Sequence, residues 1–218
     1  MKASAAPTRP PSGSQPRADL TRAKILDEAV AHVLEKGLAG ASVKAIAQRA
    51  GVTWGVVQYH FGDRDALLAA VVDKSFDELF EALATAPIQH DSGASLAERV
   101  QLIIDTAWSV MSSPTCRAAT EILIATRPAR GSAARKQLSR LAAAFDVLAL
   151  AIADDLDADT GKAVSHLLLA NLRGLITTQL IMPGTVDTGP DRRLLAEVIA
   201  RYIETTAAER SRSTGSGS

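Results

Sequence analysis

Apolar residues recur along this chain at spacings of three and four, with no sustained alternation, and that is the period of helices packed on one side. Leu20, Ile25, Leu26, Ala29, Val30, Val33 and Leu34 mark a first helix from Asp19, closing at Gly37, a residue suited to a left-handed helix stop. Ser42 caps a short second segment with Val43, Ile46, Ala47 and Ala50, stopped by Gly51; Thr53 caps a third, Trp54 to about His60. Asp63 caps a long fourth helix carrying Leu67, Leu68, Val71, Val72, Phe76, Leu79, Phe80 and Leu83 before Pro87. The same period predicts helices over Ser95 to Met111, Pro114 to Thr126, Ser132 to Leu156, Asp159 to Ile181 and Asp191 to Ala208. Pro114 falls at a helix start, where its missing N–H does no harm, while Pro128, Pro183 and Pro190 lie in gaps between periodic runs. No segment reads as a strand, so the expected fold is all-α.

Residues 1–18 hold four of the nine prolines and read as a flexible arm, and the Ser/Gly-rich stretch 211–218 reads as a flexible tail. Between them, 47% hydrophobic and 22% charged residues over a 218-residue chain place it in the ordinary globular class. The longest apolar stretches, Leu141 to Ala153 and Leu167 to Met182, are broken by Asp146 and by Asn171 and Arg173, too early for a spanning helix. The first 18 residues lack a secretory-type apolar block, and the single Cys116 forms no internal disulfide, so the cytoplasm is the expected compartment. The 24 cationic and 24 acidic side chains cancel overall but not locally. Residues 1–62 contain eight Lys/Arg and four Asp/Glu, a net of +4, and the remainder carries −4. A local excess is what phosphate contact requires, because counterion release depends on charges at the interface.

Within that basic part, Ser42 to Phe61 has the spacing of a helix-turn-helix. Ala47 is small where the second helix crosses the first, Gly51 tolerates the positive φ of the sharp turn, and Ile46, Ala50, Val52 and Val57 bury the angle between them. Trp54, Val56, Gln58, Tyr59 and His60 are left facing outward or partly outward. An exposed Trp and Tyr beside cations is unusual for a plain surface.

Those residues have a recognisable pattern. Thr21-Arg22-Ala23-Lys24-Ile25-Leu26, then Gly37, then Ser42-Val43-Lys44-Ala45-Ile46-Ala47-Gln48-Arg49-Ala50-Gly51-Val52-Thr53-Trp54-Gly55-Val56-Val57-Gln58-Tyr59-His60-Phe61, closing with Arg64 and Leu67, resembles the DNA-binding domain of TetR-family transcriptional regulators. The resemblance covers Thr21 to Leu68 and implies an all-helical homodimer. It divides the chain into a helix-turn-helix DNA-binding domain at 19–65 and a helical effector-binding and dimerisation domain at 66–210. It departs from the family at Gln58, often Tyr, and at Arg64, usually Lys. Carried over by residue, the resemblance implies that Ser42, Lys44, Tyr59, His60 and Arg64 contact phosphates of a pseudo-palindromic operator. Thr53, Trp54, Val56 and Gln58 then enter the major groove, where Gln58 offers an amide to adenine and Val56 or Trp54 an apolar face to a thymine methyl. Gly55 permits close approach.

Further signals bear on ligands. Asp155, Asp157 and Asp159 imitate the start of a calcium loop, but Thr160 and His166 stand where glycine and a bidentate Glu are needed, so these acids read as the end of one helix and the cap of the next. His32, His60, His90 and His166 are too scattered for a zinc site. Cys116 lacks the base and oxyanion site of a nucleophile, and no constellation for catalysis or cofactor binding appears, so no enzymatic role is expected. The implied effector is a small, mainly apolar molecule, with Phe80, Trp108, Met111, Cys116, Phe145 and His166 as candidate contacts. Arg127, Arg130 or Arg173 would anchor a carboxylate if it carries one. Trp108 lies in the stripe Leu102, Ile104, Ala107, Trp108 and Met111. Dimerisation is expected on the last two helices, through the small residues Ala163, Ala170 and Gly174 and the stripe Leu194, Leu195, Val198, Ile199 and Tyr202. The competing reading is an Ala-rich helical protein-interaction module, or an enzyme with a buried helical site.

Overall fold

The computed structural model describes residues 16–85, 93–126, 139, 142–143, 145–146, 156–184 and 186–215. Helices α1 (Pro16–Gly40), α2 (Val43–Arg49), α3 (Trp54–Phe61), α4 (Arg64–Ala84), α5 (Leu96–Met111), α6 (Pro114–Ala125), α7 (Ala158–Ile181) and α8 (Gly189–Gly215) follow in chain order. Among the described residues there is no strand. Most of the helix expected over Ser132 to Leu156 lies outside the described residues, as do residues 1–15 and 216–218, Arg127, Arg130 and His90.

The capping chemistry places the starts. Ser42 Oγ accepts from the Ala45 N–H at 3.1 Å, and Asp63 Oδ1 accepts from the Ala66 N–H at 2.8 Å. Ser95 and Glu98 form a reciprocal capping box at α5, and Ser113 caps α6 with Pro114 in its first turn. Thr53 occupies the N-cap of α3 without a side-chain capping bond. Asp157 caps α7, accepting from the Asp159 and Thr160 N–H groups at 3.1 and 3.0 Å and pairing with Arg210. Bonds to Thr160 hold its carboxyl down at about 2.

Two ends differ from the periodic reading. α1 starts at Pro16, inside the expected arm, because proline in a first turn costs the helix no bond. α8 runs to Gly215, into the expected tail, where Ser211 Oγ bonds back to the Ala207 carbonyl. At Gly37 the chain takes φ 68 and ψ 167, and one more turn follows before Ala41.

The chain forms two compact units, residues 1–77 with 113–131 and residues 78–112 with 132–218. This division by packing falls within α4, and α6 joins the first unit. There α1 packs against α2, α3 and α6. Ile25, Leu26, Ala29, Val30 and Val33 of α1 are buried with Ile46, Ala47, Val57, Phe61, Leu67, Leu68, Val71, Ala118 and Ile122. Leu20 projects to solvent at 71% exposure, outside the buried row. In the second unit α5 packs on α7 and α8. Its core holds Val100, Ile103, Ile104, Ala107, Phe145, Leu168, Leu172, Ile176, Leu195, Ile199 and Ile203.

Candidate nucleic-acid interface

The two short helices of the first unit meet across a four-residue turn that only a special backbone can make. Gly51 sits at φ 66, a conformation that a Cβ would strain, and the Val52 N–H donates to the Ala47 carbonyl at 2.9 Å to close it. Ala47, Ala50 and Val57 are buried in the angle between the helices. Burying Val57 and Phe61 turns the opposite face of α3 outward, so Trp54 and Tyr59 remain 46% and 41% exposed and Gln58 is exposed beside them. Val56 is half-buried, and a Cβ added to Gly55 would meet only Thr53 Oγ1, at 3.8 Å.

The cations divide into those held inside the unit and those turned out. Lys44 is exposed and makes no ion pair among the described residues. Arg49, by contrast, pairs with Glu28 at 2.9 Å and Glu35 at 2.7 Å, and those hydrogen bonds raise its pKa and lower that of Glu35. Arg22 lies over the Phe61 ring at 4.9 Å. Lys24 was not among the predicted contacts, yet its Nζ reaches the turn, 3.7 Å from where a Gly51 Cβ would stand. Lys24 is exposed on α1, directly before the buried pair Ile25 and Leu26.

Two expected contacts are otherwise engaged. His60 is buried, not outward-facing, because α3 turns it inward beside Phe61 with its ring edge against Tyr59 at 5.1 Å. Arg64 directs Nε to the Ala41 carbonyl at 2.9 Å and Nη2 to the Leu38 carbonyl at 2.7 Å, closing the end of α1. Ser42, Lys44, Thr53, Trp54, Gln58 and Tyr59 are the predicted residues that stay exposed.

This segment is also where the chain matches known proteins. The family model for bacterial regulatory proteins, tetR family, matches residues 25–71, spanning the turn and both of its helices. Over residues 25–71 the chain is therefore similar to the N-terminal segment of TetR-family regulators. It is 34% identical over 84 residues to the HTH-type transcriptional regulator BetI of Burkholderia thailandensis, a stretch covering 38% of this chain and 41% of that one. The chain thus matches less than half the length of that curated relative. A crystal structure of a transcriptional regulator from a Rhodococcus species superposes with a TM-score of 0.64 at 22% identity, covering 85% of this chain and 96% of that one. A second, TetR-like regulator from a Rhodococcus species gives 0.63 at 20% identity, covering 88% and 99%. At these identities the two structures show the all-α fold alone.

The remaining predicted residues lie in both units of this chain. Cys116 is buried in the first unit, whereas Trp108, Met111 and Phe145 are buried in the second and Phe80 is half-buried there. His166 is exposed on α7, where Ser165, Leu168 and Leu169 form the buried row among the described residues. Leu102 is likewise exposed, at 41%. Trp108 is covered by the Arg192 guanidinium, 5.1 Å from its ring centroid, and Arg192 pairs with Asp105, which also accepts from Gln101. On α8 the predicted stripe splits into two rows. Leu194, Val198 and Tyr202 are 60%, 49% and 46% exposed, but Leu195 and Ile199 are 8% and 0% exposed and belong to the core of their own unit. Ala163, Ala170 and Gly174 are exposed on α7, with nothing near a Cβ added at Gly174.

Proposed function

We propose that this chain is a ligand-responsive transcriptional regulator of the TetR family that binds double-stranded DNA as a homodimer. In this reading it is a repressor, released from a pseudo-palindromic operator by a small, mainly apolar effector. The observation that carries the reading is the exposed face of α3, where Trp54, Gln58 and Tyr59 stand out from a helix anchored by buried Val57 and Phe61. A large aromatic pair beside an amide is poorly suited to bare solvent and well suited to base edges and a backbone. Thr53, Trp54, Val56 and Gln58 read the major groove, and Gly55 keeps the approach open. Ser42, Lys44, Tyr59 and Lys24 rest on phosphates. His60 and Arg64 support the surface from behind and touch no DNA.

The dimer forms on the exposed row Leu194, Val198 and Tyr202 together with the small residues of α7. Two heads bind one face of the duplex only when their spacing matches the groove repeat of about 34–36 Å. An effector that favours another spacing releases the DNA, and its differential affinity for the two states sets the response. The effector site lies in the second unit, among residues such as Phe80, Met111 and Phe145, whose apolar character sets the ligand class. DNA as partner places the work of the protein in the cytoplasm. A gel-shift assay on the DNA flanking its own gene tests the reading. A retarded complex that dissolves as salt rises supports it, and no complex at low salt refutes it.

A further inference from the structure

Leu38 is gripped from both sides by side chains of two other helices. Its N–H donates to Glu121 Oε1 of α6 at 2.8 Å, and its carbonyl accepts from Arg64 Nη2 at the start of α4 at 2.7 Å. Arg64 Nε also donates to the Ala41 carbonyl, and the Ala41 N–H returns to the Leu38 carbonyl at 3.2 Å. Ala41 is buried and directly precedes Ser42, the N-cap of α2. Upstream, Gly37 leaves the helical conformation, so the α1 ladder is interrupted just where the chain must be aimed into α2.

From this arrangement we propose that Glu121 is a positioning residue for DNA reading: through the Leu38 peptide it fixes the angle at which α2, and α3 after it, are presented to the duplex. The proposal rests on the DNA-binding reading above. Three features support it. The acceptor is a carboxylate in a half-buried site, where a charge-assisted bond is strong and directional. Glu121 is the sole acid of α6, whose residues Ala118, Ala119 and Ile122 are buried in the same unit as α1. And α2 is only seven residues long and follows Ala41 almost directly, so a small rotation at Ala41 is carried through α2 to α3, farther from the pivot.

The test compares Glu121→Gln, which keeps an oxygen acceptor, with Glu121→Ala, which removes it. Each full-length variant is titrated, over a series of salt concentrations, with a duplex selected from a random pool by the wild-type chain. Amide exchange at Leu38 is followed by NMR. Glu121→Ala is expected to bind about ten-fold more weakly at every salt concentration with an unchanged salt slope, and to expose the Leu38 amide to faster exchange. Glu121→Gln should stay within about two-fold of wild type in both readouts. Loss of a phosphate contact would instead flatten the slope by about one unit. Wild-type affinity in Glu121→Ala overturns the positioning role, as does an equal loss in Glu121→Gln. If Glu121→Ala does not fold, Glu121→Met, which keeps the bulk of the side chain but offers no carboxylate oxygen to the Leu38 N–H, serves in its place, and wild-type affinity there overturns the role too. A wild-type chain that selects no duplex refutes the DNA reading itself, whereas wild-type binding with a silent Glu121→Ala refutes the positioning role alone.

Discussion

Replacing Leu194 and Val198 together by aspartate should produce a folded monomer. The two side chains are 60% and 49% exposed and lie four residues apart on α8, one row away from Leu195 and Ile199, which are buried. Fully burying such a side chain is worth about 1.5–3 kcal/mol, so covering the exposed half contributes about 1 kcal/mol for each. A two-fold interface uses each residue twice, and the double substitution removes about 4 kcal/mol. That weakens the dimer roughly a thousand-fold before the cost of burying unpaired carboxylates is counted. Sedimentation velocity at micromolar concentration reads the mass, and far-UV circular dichroism reads the fold. Leu195→Asp with Ile199→Asp should instead unfold the second unit, because both carboxylates would enter its core. A dimeric Leu194→Asp/Val198→Asp protein, or a folded Leu195→Asp/Ile199→Asp protein, would refute the division of α8 into an outer and an inner row.

Other outcomes follow from the same contacts. Lys44→Ala should weaken binding to all duplexes alike and flatten the salt slope by about one unit, while Gln58→Ala should relax preference at one base pair by roughly 1–3 kcal/mol; fluorescence anisotropy against a panel of duplexes separates the two. Trp108→Ala should destabilise the second unit by about 3–5 kcal/mol in urea unfolding, since the ring is buried under Arg192. Asp157 has a depressed folded pKa, so its contribution to stability is present above its unfolded pKa and is lost as pH falls through about 2. Asp157→Asn keeps a capping side chain, and its thermal unfolding midpoint should fall less steeply with acid than that of the wild type.

What could be read from the chain divides along physical lines. Helix starts were legible because their signals are local: Ser42, Asp63 and Ser95 accept from backbone N–H groups three residues on, and Pro114 stands in a first turn where its missing N–H costs no bond. Gly51 was legible for the same reason, since its positive φ is dictated by the turn it makes. Periodicity also identified α8 as apolar on a wide stripe, but not which row faces its own unit, because Leu194 and Leu195 differ by a rotation that only the packing of α5 and α7 decides. The same limit hid His60, which lies at the edge of the buried face of α3. The engagement of Arg64 and Arg49 within the unit was not legible because their partners, Leu38, Ala41, Glu28 and Glu35, are distant in sequence. The membership of α6 in the first unit rests on contacts with α1 that no local pattern encodes.

The most direct test of the central claim is selection of duplexes from a random-sequence pool by the full-length wild-type chain. The account predicts enriched sequences with two half-sites related by a two-fold axis, their centres about 10 base pairs or a multiple of that apart, bound by a dimer or a pair of dimers. Enrichment of no sequence, or of single half-sites without a symmetric mate, would contradict it.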